Sequence, residues 1–139
     1  MKPLVIFVTI LFFASCTAKG PEPVQLNVDA CTYCKMPISD ARYAAEIITK
    51  KGRLYKFDDA VCIISYSKEK LANESASFYF SDFEAPGKFV KAPAAVFIKG
   101  GNLKSPMAGN TAAFGNRESA GKFAEETGAQ IVSWEDIQK

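Results

Sequence analysis

The sequence predicts an α+β domain of short antiparallel strands and two main helices. Three observations carry this expectation. Segments 42–57, 77–83 and 94–99 hold strand-length runs of aliphatic and aromatic residues separated by turn-forming positions. Two stretches of helical spacing each follow a capping residue, Asp58 or Asp59 in the first and Asn116 in the second. Finally, Tyr55-Lys56-Phe57-Asp58-Asp59-Ala60 overlays Ala112-Ala113-Phe114-Gly115-Asn116-Arg117, with strand, aromatic, turn and cap at matching places. Each of these segments lies downstream of a Met-bearing loop (Met36, Met107), so the two halves suggest an internal duplication that rests on element order rather than identity.

Taken in order, a Cys-rich turn at 31–36 precedes a β-hairpin whose arms are Arg42 to Thr49 and Leu54 to Phe57, joined by Lys50-Lys51-Gly52-Arg53. A helix from about 59 to 71 follows, with Ala60, Val61, Ile64 and Leu71 as its apolar side. Ser77 to Phe83 and Ala94 to Lys99 read as strands, the second ending at Gly100-Gly101. A loop at Lys104-Ser105-Pro106-Met107-Ala108-Gly109 leads into a strand from Thr111 to Phe114. Ala120, Phe123, Ala124 and Thr127 then recur at helical spacing, Gly128 supplies the stop, and Gln130 to Trp134 closes as a strand.

The chain has 139 residues, and its 48% hydrophobic and 23% charged content is that of a globular domain. Lys and Arg together number 17 against 15 acidic residues, with no polycationic run, which argues against nucleic acid as a partner. Histidine is absent. That removes the usual general base at neutral pH, the Ser-His and Cys-His nucleophile pairs and every imidazole metal site. Chemistry beyond carboxylates must therefore run on the four cysteines, Cys16, Cys31, Cys34 and Cys62.

Met1-Lys2, the apolar run from Leu4 to Phe13 and the small residues Ala14-Ser15 form a secretory signal, 1–15, too short to span a bilayer as a mature helix. Phe13-Ala14-Ser15-Cys16 resembles a bacterial lipobox, with Phe13 where Leu is more usual, so Cys16 is the expected lipidation site. A plain signal peptide cut near Ala18 is the alternative; either places the mature chain outside the cytoplasm. Residues 16–27 carry Pro and Gly at tether density, and the domain is expected to fill 28–139. With Lys2 removed, sixteen basic residues face fifteen acidic ones, and charge steering is weak.

Cys31-Thr-Tyr-Cys34-Lys-Met36 puts two thiols and a thioether within six residues. Soft donors in low number suit Cu(I), whereas Zn²⁺ needs four donors and, without His, a recruited carboxylate. A Cys31–Cys34 disulfide and a redox-active Cys-x-x-Cys stand beside the metal reading, because an oxidising compartment pairs exposed thiols. Pro37 and the strand-like residues after it argue against a motif that opens a helix, as a thioredoxin-like site would. Cys62, among Val61, Ile63 and Ile64, reads as a small core hydrophobe, and Asp58 and Asp59 as a cap and its solvated neighbour. Met107, in a Pro/Gly-containing loop, is a candidate remote thioether ligand.

These residues resemble the NosL family, copper-binding lipoproteins associated with assembly of nitrous oxide reductase. The matching features are Cys16, Cys31-x-x-Cys34-x-Met36 with Ile38 and Asp40-Ala-Arg42, Tyr55-x-Phe57-Asp58-Asp59-x-x-Cys62, and Ser105-Pro106-Met107 with a following Phe114. The resemblance implies two related ββα-type units, similar to part of organomercurial lyase. It also implies a metal site at Cys31, Cys34 and Met36 with Met107. Two departures stand out: Lys35 occupies a position where family members commonly have Gly, and no His ligand is available. The expectation is a membrane-anchored, extracytoplasmic Cu(I) metallochaperone, not an enzyme, that serves a copper-accepting apo-enzyme or its assembly complex, nitrous oxide reductase first among them. The alternative is a Cys-x-x-Cys thiol-disulfide oxidoreductase acting on extracytoplasmic copper proteins.

Overall fold

The computed structural model describes residues 20–139, so the expected signal segment 1–15 and the expected lipid site Cys16 lie outside the described residues. In the first unit, β1 (Ala45–Thr49) pairs antiparallel with β2 (Leu54–Phe57), and the turn between them holds Gly52 at a φ of 82°. Helix α1 (Ala60–Lys70) follows, and β3 (Ala76–Ser81) returns to the free side of β1, with β4 (Phe89–Lys91) beyond it. The strand order is β2-β1-β3-β4. In the second unit β5 (Val96–Lys99) pairs with β6 (Thr111–Phe114), α2 (Arg117–Thr127) follows, and β7 (Gln130–Val132) returns beside β5, giving β6-β5-β7.

Hairpin, helix, return strand on the hairpin's first arm: both units follow one plan, as the overlay of Phe57-Asp58-Asp59 on Phe114-Gly115-Asn116 predicts. Phe57 and Phe114 are both fully buried, and Asp59 and Asn116 are the two N-caps, each accepting from the main-chain N–H two residues on. Gly128 ends α2 in the left-handed conformation at a φ of 70°, where a side chain would be strained.

The structure corrects several details. Ala60 and Leu71 are buried and Ile64 packs against the core as expected of the apolar side of α1, but Val61 is 42% exposed and Cys62 and Ile63 take inward positions instead. The last strand stops at Val132. Ser133 and Asp136 form a reciprocal capping box that starts a short helix, α3 (Trp134–Ile137), so Trp134 is helical rather than a strand end. The strand β4 and the 3₁₀ turn at Ala92–Ala94 have no counterpart in the sequence pattern.

A shared core joins the units. Ala45, Ile47, Phe57 and Phe80 of the first sheet, with Ala60 and Ile63 of α1, pack in one cluster with Phe97 and Ala113 of the second sheet and Ile137 of α3. Phe80 meets Phe97 edge-on with ring centroids 5.0 Å apart, and Trp134 lies 5.6 Å from Phe80 and 6.0 Å from Phe97. The buried Phe80 and Phe97 rings each contribute roughly 1.5–3 kcal/mol by leaving water. A parallel bridge between Asp82 and Ala113 ties the two sheets through the backbone.

The opposite face of the first sheet carries Glu46, with Lys56 and Tyr79 directly across it on the neighbouring strands. Residues after Gly20 cover this face. The Glu22 N–H donates to Glu46 Oε2 at 2.9 Å, while the Lys56 ammonium donates to the Pro23 carbonyl at 3.0 Å and to Asp29 Oδ2 at 2.7 Å. Val24 packs against the core. Glu46 is 0% exposed, its Oε1 has no partner among the described residues, and burial raises its carboxyl to about 7.

Candidate metal centre

Four ligand atoms converge where the Cys-rich loop meets the junction of β2 and α1. The sulfurs of Cys31, Cys34 and Cys62 and a carboxylate oxygen of Asp58 all lie within 4.8 Å of one another. The local folding that brings them together can be followed bond by bond. The Cys31 N–H donates to the Met36 carbonyl at 2.8 Å and the Lys35 N–H to the Cys31 carbonyl at 3.0 Å, which closes the loop on itself, and Ala30 bridges Pro37 at its neck. The Thr32 N–H then donates to the Lys56 carbonyl at 2.8 Å, which lays the loop on the end of β2. Asp58 follows that strand, and Asp59 caps the helix whose first turn carries Cys62.

Lys35 sits at a φ of 67°, so the turn keeps the left-handed geometry that glycine adopts freely, at a steric cost of about 1–2 kcal/mol for a side chain. Its ammonium folds back to the Thr32 carbonyl at 2.5 Å.

The electrostatics single out one sulfur. The thiol of Cys62 points its hydrogen bond at Cys31, and the main-chain amides of Cys34, Asp58 and Tyr33 add to it; together they bring the Cys31 thiol down to about 6 despite its burial. The same hydrogen bond, with burial and the Cys31 charge, pushes Cys62 upward. Burial raises Cys34, whose thiol donates to Asp58 Oδ1 at 3.6 Å. Of the three sulfurs, Cys31 is the one whose surroundings favour the thiolate, because it receives the hydrogen bonds, while Cys34 and Cys62 are shifted the other way. Cys31, Cys62 and Asp58 are buried, and Cys34 is half-buried and forms the way in. All three cysteines are free.

Of the residues singled out from sequence, Cys31 and Cys34 are brought together in this cluster. Met36 and Met107 are not among the four clustered residues, and their side chains are 55% and 38% exposed. Met107 approaches through its backbone: its N–H donates to Asp59 Oδ2 at 2.8 Å, while Asp59 Oδ1 accepts from Val61 at 2.9 Å. One buried carboxylate therefore fastens the Met107 loop to the start of α1. Gly109 makes this possible, because a Cβ there would lie 2.2 Å from Asp59 Oδ1 and 3.2 Å from the Val61 nitrogen.

Asp58 is not the solvated neighbour of a cap; it is 2% exposed, and it offers an oxygen to the cluster. Cys62 is buried as expected of a core residue, yet its sulfur faces the other two thiols rather than only aliphatic neighbours. The signal for both was the spacing Asp58-x-x-x-Cys62 across a strand-to-helix turn, which returns a strand-end carboxylate and a first-turn side chain to one spot.

No curated protein matches this chain. Among solved structures, the crystal structure of the copper chaperone NosL from Shewanella denitrificans shares the fold, with a TM-score of 0.71 at 18% identity, covering 88% of this chain and 98% of that one. With the NosL family model matching residues 23–139, nearly the whole described region that builds the two units and the cysteine cluster, the chain belongs to the NosL family.

Proposed function

We propose that this protein is an extracytoplasmic Cu(I) carrier, lipid-anchored through Cys16, that hands its ion to a copper enzyme under assembly. The observation that carries the reading is the convergence of three sulfurs within 4.8 Å of one another, beside a carboxylate oxygen. Cu(I) is satisfied by two or three soft donors, and this set supplies them without histidine. Met36, two residues from Cys34, and Met107, whose loop is bonded to Asp59, are both exposed, and in this reading their thioethers help an incoming partner ligand take over the ion stepwise. The cargo is thereby bound firmly enough to be carried and openly enough to be released. The chaperone name of the Shewanella denitrificans relative supports the same role. Nitrous oxide reductase is the acceptor that the family resemblance points to.

Anaerobic Cu(I) titration against a competing chelator tests the reading. One Cu(I) per chain, transferred to an apo-acceptor on mixing, is the expected result; failure to compete with a chelator of micromolar affinity would exclude it. One observation favours the rival thiol-disulfide exchange reading, namely the lowered Cys31 thiol, which resembles an attacking nucleophile. Burial of that sulfur argues against it, since a substrate disulfide must reach the attacking thiolate. Insulin reduction assays separate the two readings.

A further inference from the structure

We infer that the hairpin turn between β1 and β2 and the last turn of α1 form a basic surface that docks on anionic phospholipid headgroups, and that this contact turns the cysteine cluster away from the bilayer. Resting on the proposed Cys16 anchor for the presence of a membrane, this contact adds an electrostatic foothold and an orientation that a leash alone does not impose. Counted over the whole chain the charges nearly cancel, 17 basic against 15 acidic, but folding gathers unpaired cations at one end.

The Lys50 N–H donates to the Ser75 carbonyl at 2.9 Å, which fastens the hairpin turn to the loop that follows α1. Lys50, Lys51 and Lys70 line one hollow of about 500 Å³ there, together with Asn73 and Ser75. All three lysines are exposed, and none is in an ion pair: those among the described residues join Arg42 to Asp40, Lys56 to Asp29 and Lys139 to Asp136. The two acids lining the same hollow are engaged by other groups. Glu69 accepts from the Tyr33 hydroxyl at 2.8 Å, and Glu74 faces the charge of Arg53. Lysines in the last turn of a helix offset its dipole, which accounts for Lys68 and Lys70 without any ligand. It does not account for Lys50 and Lys51, which stand on the hairpin turn and line the same hollow.

Chain direction sets what such a contact does. β2 ends and α1 begins at the cysteine cluster, so the hairpin turn and the last turn of α1 lie at the far end, 11 residues or about 16 Å of helix away. Docked by that end, the domain presents the cysteine loop to solvent. The leash permits this pose. Glu22 is bonded at Glu46, about 13 Å along β1 from Lys50, which is inside the roughly 20 Å that six residues span. A phosphoglycerol headgroup is a compact anion that a lysine ammonium meets as a point charge. Each cation held within a Debye length of an anionic surface strengthens the contact about fivefold.

The test uses the mature chain isolated from bacterial membranes, whose mass first shows whether Cys16 is acylated. In phosphatidylcholine vesicles with and without phosphatidylglycerol, the chain is exposed to an acetylating reagent and the rate at each lysine is read by mass spectrometry. Lys50, Lys51 and Lys70 should react about fivefold more slowly on the anionic vesicles, and high salt should restore them. Lys35 and Lys104, exposed on the two loops at the cysteine end, should keep their rates. Lys50→Glu combined with Lys51→Glu should free Lys70 for acetylation. Equal rates on both vesicles, protection of Lys35 and Lys104 instead, or protection of Lys70 that survives the double charge reversal would each overturn the assignment. Protection by inorganic phosphate without vesicles would give the hollow to a free anion and overturn it as well. The rates in the unmutated chain need no variant. A Cys16 without lipid refutes the anchor alone, and that chain, added to the same vesicles from outside, is still decided by the same lysine rates.

Discussion

Asp59 is the most informative residue to perturb, because one carboxylate makes two separable bonds. Asp59→Ala removes the cap on Val61, which costs about 1 kcal/mol, and strips the acceptor from the Met107 N–H. An amide left without its partner costs about 1–3 kcal/mol, towards the lower end here because Met107 is partly exposed and water can reach it. The expected loss is therefore about 2–3 kcal/mol, read as a lower urea midpoint at unchanged m-value. Gly109→Ala provides the internal control. Its Cβ collides with Asp59 Oδ1, so in the parent it should destabilise by about 1–3 kcal/mol, and in the Asp59→Ala background most of that penalty should vanish with the oxygen that caused it. A second cycle with Met107→Leu carries the same logic to Cu(I) affinity: if Asp59 acts by holding the Met107 loop, its effect on binding disappears once the thioether is gone. Additive stability losses for Asp59→Ala and Gly109→Ala would refute the idea that this carboxylate latches the loop to the helix.

Other outcomes follow from the same geometry. Lys35→Gly relieves the left-handed strain of about 1–2 kcal/mol against a glycine entropy cost of about 0.5–1 kcal/mol, so the variant should be slightly more stable, by about 0.5 kcal/mol, in thermal unfolding. Glu46 is held neutral by burial up to about 7, against 4.5 when unburied; between those values the unfolded chain ionises while the folded one keeps its proton. Stability should therefore fall by about 3 kcal/mol as pH rises through that window and level off above it, and Glu46→Gln should flatten the profile; an unchanged slope in the variant removes Glu46 as its source. Mass spectrometry of the mature protein should find an acylated terminus at Cys16, and a cellular form beginning beyond that residue contradicts the anchor.

Local chemistry carried most of the fold into the sequence. Asp59 and Asn116 before helical spacing, Gly128 after it, and the matched Phe57 and Phe114 place both helices and the hairpins, since caps and left-handed stops act over a few residues. Trp134 was misplaced although Ser133-x-x-Asp136 spells a capping box, because an aromatic after Gln-Ile-Val continues a strand pattern equally well. The site was only half legible. Cys31 and Cys34 announce themselves by spacing, but Asp58 looks like any acid beside a cap. Long-range contacts, the Thr32 to Lys56 backbone bond and the Asp29–Lys56 ion pair, bring the cysteine loop onto it, and no periodicity encodes them. The same is true of Met107, whose link to Asp59 spans 48 positions.

The strap over the first sheet has a consequence for reach. From Glu22 the chain is bonded to Glu46, then through Pro23 and Asp29 to Lys56, and two residues past Asp29 it becomes the cysteine loop. With the lipid on Cys16 as proposed, only the six links between Cys16 and Glu22 are left as leash. Six residues stretch to at most about 20 Å, which is less than the thickness of the bilayer's hydrocarbon core. A carrier on so short a leash cannot ferry its ion across the space between two membranes. On the proposed anchor, its acceptors are those that come to the surface on which it stands.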